Sequence, residues 1–324
     1  MTNRERMYSR LLMVYPRWYR ERRGQEINST LLEVAAAGGR FSWLEAAAIA
    51  VHGLRVRLGI GYERFAGDVL SLAALPGLMM GAGLALTLGI FGDWLPHTTI
   101  LASHPAPLAL QFGPFWTIGP VLYAVWVAGA TLAAVTPRYQ QAVAWVCLVA
   151  TLATRLFGGL ARPPTAPLLL LGLLGVPAAL APRATRSRRQ LAISVLSGVT
   201  VMAFITVSVA YVSFSGGYFF QPLYWNWGGV AVRELFPYMT GVALCLAVGM
   251  LFLGHRRGAA ALALLMGPWL LESSLGLRPA VIQWYGPSAL SIVSAVVGSA
   301  VAVLLVTCWV VDVRRSRNPL TEPS

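Results

Sequence analysis

Apolar residues fall in eight long blocks along this chain, near 69–91, 113–135, 141–159, 166–182, 191–213, 237–254, 258–275 and 288–311. Short polar or charged segments separate them. A bilayer-crossing helix needs about 20 mostly apolar residues, so each block reads as one transmembrane helix. The fourth is short and carries Pro167 and Pro177; in a bundle, neighbouring helices can satisfy the carbonyls that such prolines free. Ahead of the first block the pattern changes to apolar residues at helical spacing among charges. Three amphipathic helices are expected there: about 3–14, about 16–36, and a third from Ser42 onward. Pro16 suits a first helical turn, and Gly38-Gly39 suits a helix end. Ser42 with Glu45 has the spacing of a capping box. The expected fold is therefore all-α. A cytoplasmic three-helix prefix (1–66) precedes a polytopic membrane domain of about eight transmembrane helices (67–311) and a basic tail (312–324).

Composition supports the membrane reading. The 324 residues are 57% hydrophobic and only 11% charged, where a soluble domain carries about 25%. A water-soluble enzyme, a disordered chain and a disulfide-stapled secreted protein are all excluded. The first long apolar run begins near residue 69, so no cleavable signal peptide is expected. Every basic residue is Arg, as in a GC-rich bacterial genome, and 11 of the 25 lie within residues 1–68. With the N-terminus inside, the segments 1–68, 136–140, 183–190, 255–257 and 312–324 hold 21 Arg, against four outside: Arg155, Arg162, Arg233 and Arg278. The positive-inside rule then puts both termini in the cytoplasm of a bacterial cell, with the bilayer as a constant partner. Acidic residues interleave with the Arg of the prefix, so no nucleic-acid partner is expected.

The two halves of the apolar body echo each other. Pro114-Phe115-Trp116-Thr117 resembles Pro237-Tyr238-Met239-Thr240 ahead of the second span of each half, and Arg162-Pro163 resembles Arg278-Pro279. Four spans per unit would give a parallel 4+4 repeat; chance similarity in a small apolar alphabet accounts for the echoes equally well.

The prefix carries the motif Leu11-Leu12-x-x-Tyr15-Pro16-Arg17-x-Tyr19-Arg20-x-x-x-Gly24-x-Glu26. It resembles the helical prefix found ahead of certain bacterial orphan permeases, and prefixes of uncharacterised actinobacterial integral membrane proteins associated with PadR-type regulators. The resemblance covers roughly 50 residues. It implies a cytoplasmic docking module, with Tyr15, Pro16, Tyr19, Arg20, Gly24 and Glu26 as candidate contacts for a PadR-linked regulatory protein. The apolar body lacks the large outside domain of those permeases.

Within the spans, Arg155 and Glu272 are the charges that invite a role. Counted from the cytoplasmic ends of their spans, both lie about 21 Å deep at about 1.5 Å per residue. A charge at bilayer depth costs about 2.5–3.5 kcal/mol on insertion scales. Two readings fit, an interhelical ion pair and a ligand or proton site. The segment 211–238 supplies 10 of the 34 aromatic residues. It reads either as an interfacial belt or as a lid over an amphiphilic ligand, built from Tyr218, Phe219, Phe220, Tyr224, Trp225 and Trp227. Small-residue rows, Gly77-x-x-x-Gly81 and Gly241-x-x-x-Cys245-x-x-x-Gly249, allow close helix approach. Cys147, Cys245 and Cys308 show neither disulfide nor zinc spacing. There is no phosphate loop, zinc-protease helix or nucleophile elbow, so neither catalysis nor a cofactor or metal is expected. The resulting expectation is an accessory or signalling membrane protein, with a small-molecule or lipid transporter as the alternative.

Overall fold

The computed structural model describes residues 12–36, 49–50, 52–53, 56–57, 65–94, 117–156, 163–182, 187–215 and 236–275. Among them the chain is all-helical, with no strand. It divides into two compact units, Met1–Asp68 with Asp312–Ser324, and Val69–Val311.

In the first unit, α1 spans Arg17–Ala36. Pro16 stands just before it and its carbonyl accepts from the backbone N–H groups of Tyr19 and Arg20 at 3.0 and 3.1 Å. A residue with fixed φ and no N–H costs nothing there, because the first helical N–H groups lack partners anyway. Leu12 to Tyr15 form a turn closed by Tyr15 N–H on the Leu12 carbonyl. Most of the expected first and third prefix helices lies outside the described residues.

Seven apolar helices follow among the described residues: α2 Phe65–Thr87, α3 Gly119–Val135, α4 Gln140–Ala153, α5 Thr165–Leu180, α6 Arg188–Ser215, α7 Phe236–Phe252 and α8 Arg256–Leu275. Each falls on one of the first seven apolar blocks; block 288–311 lies outside the described residues. Two of these helices are long and apolar enough to cross a bilayer, Phe65–Trp94 and Arg188–Val207; Gly119–Val135, Thr165–Leu180 and Thr240–Phe252 are apolar but shorter. The first long helix is central, with 72% of its apolar window buried, and the second peripheral, with 22%.

Glycine sets how closely the central helix meets its neighbours. A Cβ on Gly77 would stand 2.5 Å from the Leu174 carbonyl oxygen of α5, and one on Gly198 of α6 would stand 2.6 Å from the Met79 carbonyl oxygen. Backbones this close leave no room for a methyl group. The fully buried Trp126 of α3 fills the space that two more glycines leave. A Cβ on Gly81 would meet its ring at 2.5 Å, and one on Gly175 at 3.0 Å. Its indole N–H donates to Thr151 Oγ1 of α4 at 3.0 Å, so a buried polar atom is satisfied. One side chain thus registers four helices.

Prolines sit inside α2, α5 and α8, at Pro76, Pro177 and Pro268. Polar side chains of α6 reach the backbone around the first of them. Gln190 Nε2 donates to the Ser71 carbonyl at 3.3 Å, and Ser197 Oγ, which bonds back to the Ser194 carbonyl at 2.7 Å, lies 3.5 Å from the Pro76 carbonyl. Gln141 Nε2 likewise donates to the Ala179 carbonyl in the last turn of α5, at 3.0 Å. Carbonyls of a last turn have no helical donor of their own.

Between α7 and α8 the chain reverses in three residues. Gly254 has φ 79°, His255 N–H donates to the Met250 carbonyl at 2.8 Å, and Gly254 N–H to the Leu251 carbonyl at 3.0 Å. These are the two bonds of a Schellman cap, which requires a left-handed residue at this position. The adjacent His255, Arg256 and Arg257 are exposed.

Candidate functional site

Among the described residues of the second unit, a buried polar cluster stands out that the sequence reading missed. After Thr87, whose hydroxyl bonds back to the Gly83 carbonyl at 2.6 Å, the helix widens into a π segment, Leu88–Trp94. Widening changes the direction in which its last side chains project. It brings Asp93, fully buried, to the start of α3. Asp93 Oδ1 accepts the backbone N–H of Thr117 at 2.9 Å and its hydroxyl at 2.8 Å. Thr117 Oγ1 in turn accepts the N–H of Gly119 at 2.9 Å. A carboxylate here complements the positive end of the α3 dipole, and with Thr117 Oγ1 it occupies the N–H groups of Thr117 and Gly119 that would otherwise lack partners. Gly119 makes room for it, since a Cβ there would lie 2.6 Å from Asp93 Oδ2. The cluster ties the end of the helix that begins with α2 to the start of α3.

The sequence echo at this place has different local settings. Thr117 precedes α3, whereas its counterpart Thr240 lies within the first turns of α7 and is also fully buried.

Helix α4 ends at Ala153, and Arg155 lies in the following 3-10 turn, Thr154–Leu156, with its side chain exposed. Among the described residues it forms no salt bridge. Glu272 is near the end of α8, and its side chain lies outside the described residues. Helices α4 and α8 both pack against α5. The aromatic segment with Tyr218, Phe219, Phe220, Tyr224, Trp225 and Trp227 also lies outside the described residues, as does Cys308.

The six motif residues of the prefix divide into two groups. Tyr15 is buried, and its hydroxyl hydrogen-bonds His52 Nδ1 at 2.9 Å. Its ring stacks on Tyr19, centroids 5.1 Å apart. Arg57 donates to the Met13 carbonyl at 2.7 Å, and a Cβ on Gly53 would meet Val14 at 2.7 Å. Tyr15 and Tyr19 therefore hold the prefix together, and Pro16 and Gly24 are half-buried. Arg20 and Glu26 are exposed and remain open to a partner. Burial, reinforced by the neighbouring Tyr19, pushes the Tyr15 phenol up to about 12.

Gly77 and Gly81 act as close-approach residues, but the Gly241–Gly249 row does not pack in this way. Among the described residues a Cβ at either of those glycines would meet nothing within 4 Å, and Cys245 is exposed. Cys147 is buried, its thiol 3.8 Å from the Val125 carbonyl. Among the described residues no group of His, Cys, Asp or Glu could hold a metal ion.

Comparison with protein-family models, curated proteins and solved structures finds no match to this chain.

Proposed function

We propose that this chain is a non-enzymatic, multi-pass protein of a bacterial plasma membrane whose cytoplasmic prefix docks a regulatory protein. The observation that carries the membrane part is the outer surface of the apolar helices. Val135 is 77% exposed, Leu152 70% and Phe252 89%, on helices α3, α4 and α7, which carry no charged residue. Large apolar side chains exposed in this number mark a contact with membrane or protein, and the overall shortage of charge favours membrane. In this reading α2 to α8 and block 288–311 make eight crossings, arranged as a 4+4 repeat with both termini inside. The shorter helices suit that role: α3, with 17 residues, is about 26 Å long at 1.5 Å per residue, close to a hydrocarbon core of about 30 Å.

The docking part rests on the exposed Arg20 and Glu26 beside a prefix with its own internal clamp. A transporter is the second reading, favoured by the sequence echo of the two halves.

The decisive experiment is impermeant thiol labelling of intact cells in a cysteine-free background. Cysteine at Ser103 or Ser215 should label and cysteine at Ser187 should not; labelling only at Ser187 would overturn the topology. Deleting residues 1–64 should then abolish co-purification of the partner without preventing insertion. Unchanged partners would refute docking.

A further inference from the structure

Helices α3 and α4 are joined by the turn Thr136–Tyr139 and diverge on one side into an open cleft of about 510 Å³. Val125, Ala128 and Leu132 line it from α3, and Ala142 and Val146 from α4, with Tyr139 at the end nearest the turn. The volume is that of a small-molecule site, yet the lining is almost wholly apolar. A water-borne ligand would find nothing there to orient it. The cleft opens on the same side-chain belt, including exposed Val146 and Leu132, that the membrane reading assigns to lipid.

The end at the turn is different. Arg138 holds its guanidinium 4.7 Å from the centroid of the Tyr139 ring that lines the cleft. Among the described residues no carboxylate pairs with Arg138. The cation–π contact fixes the position of the charge, and the planar N–H donors are suited to phosphate oxygens. Arg and Tyr at the end of an apolar groove match the two parts of a phospholipid in order: acyl chain along the helices, phosphate at the interface.

We propose that this cleft binds an anionic phospholipid of the bilayer, one acyl chain lying between α3 and α4 and the phosphate resting on Arg138. The inference rests on the membrane reading. From Leu132 to Val125 the lining runs about 10 Å along the axis, so the cleft holds the part of the chain nearest the headgroup. The turn belongs to a segment assigned to the cytoplasmic face, where anionic lipids attract basic residues.

Native mass spectrometry of the full chain, solubilised in detergent and titrated with phosphatidylglycerol or phosphatidylcholine of the same chains, tests this. One phosphatidylglycerol should be retained, about fivefold more tightly than phosphatidylcholine, the effect of one cation near an anionic headgroup. Arg138→Gln should erase that preference. Ala128→Phe with Ala142→Phe, both at exposed positions, should fill the cleft and remove retention of either lipid. Equal retention of the two lipids by the parent chain, or retention unchanged by the variants, overturns the proposal. So does a dimer that excludes lipid, which would assign the cleft to a second copy. If the filled variant melts early, the Arg138 variant still decides, because its exposed side chain makes no hydrogen bond within the described residues. Alkaline carbonate extraction of membranes separates the two readings. Release of the parent chain refutes the membrane assignment as well, whereas a retained chain with lipid-insensitive variants refutes only the cleft.

Discussion

Asp93 accepts two hydrogen bonds from a single residue 24 positions away, Thr117, at 2.9 and 2.8 Å through one carboxylate oxygen. The two bonds close the link between the first apolar helix and the second from inside the fold.

Removing that carboxylate should be felt strongly. Asp93→Ala leaves the Thr117 N–H and hydroxyl buried without their acceptor, and hydrogen bonds to charged groups contribute about 1.5–3 kcal/mol. Asp93→Asn keeps an acceptor oxygen and loses only the charge at the helix terminus, a cost of about 1 kcal/mol. Thermal unfolding in detergent should therefore rank the parent above Asn and Asn above Ala. Equal melting of the three would refute the assigned role.

The slot around Trp126 predicts a compensating pair. Gly81→Ala should destabilise by about 1–3 kcal/mol, as overpacking does, because the added methyl meets the indole at 2.5 Å. Gly175→Ala, at 3.0 Å, should cost less. Trp126→Phe forfeits the bond to Thr151, worth about 1 kcal/mol, and opens space beside residue 81. The double variant Gly81→Ala, Trp126→Phe should thus be more stable than the sum of its singles implies. Strict additivity in a melting experiment would count against the slot.

Tyr15 makes the prefix sensitive to alkali. Below pH 10 its phenol is protonated in folded and unfolded chains alike. Between pH 10 and about 12 the unfolded chain releases a proton that the folded one keeps, so stability falls as pH rises through that window. Ultraviolet difference titration of the parent against Tyr15→Phe should show one tyrosinate appearing near pH 12. Ionisation near pH 10 would contradict the burial.

Gly254 is the simplest backbone test. An L-residue in the left-handed region costs about 1–2 kcal/mol, so Gly254→Ala should lower the melting temperature although a Cβ there meets open space. Gly241→Ala, which meets nothing among the described residues and lies in helical backbone, should be neutral or slightly stabilising.

The placement of the helices was legible because uninterrupted apolar length is a strong signal, and Pro76, Pro177 and Pro268 did not break it. Gly77 and Gly81 were legible for the same reason: small residues on one face of a buried helix have few other uses. Asp93 was not. An Asp at the end of an apolar run reads as the first residue of a loop, and nothing local announces that a π segment will turn it inward. The Pro-Phe-Trp-Thr motif did draw attention to Thr117, but as an echo of residues 237–240 and not as a carboxylate's partner. Around Arg155, hydropathy averages across a helix end and cannot register that the α-helix stops at Ala153 and tightens. The motif of the prefix gave Tyr15 and Arg20 equal standing, whereas tertiary packing turned one inward and left the other in water.

The three-residue reversal at Leu253, Gly254 and His255 also bears on biosynthesis. Three residues span at most about 11 Å when fully extended, far less than a hydrocarbon core of about 30 Å. On the membrane reading, the start of α8 therefore stays at the face of the bilayer where α7 ends. Once α7 spans, α8 has only two places, along that face or back across the lipid beside α7, so the short reversal fixes the neighbour of each helix before other contacts form.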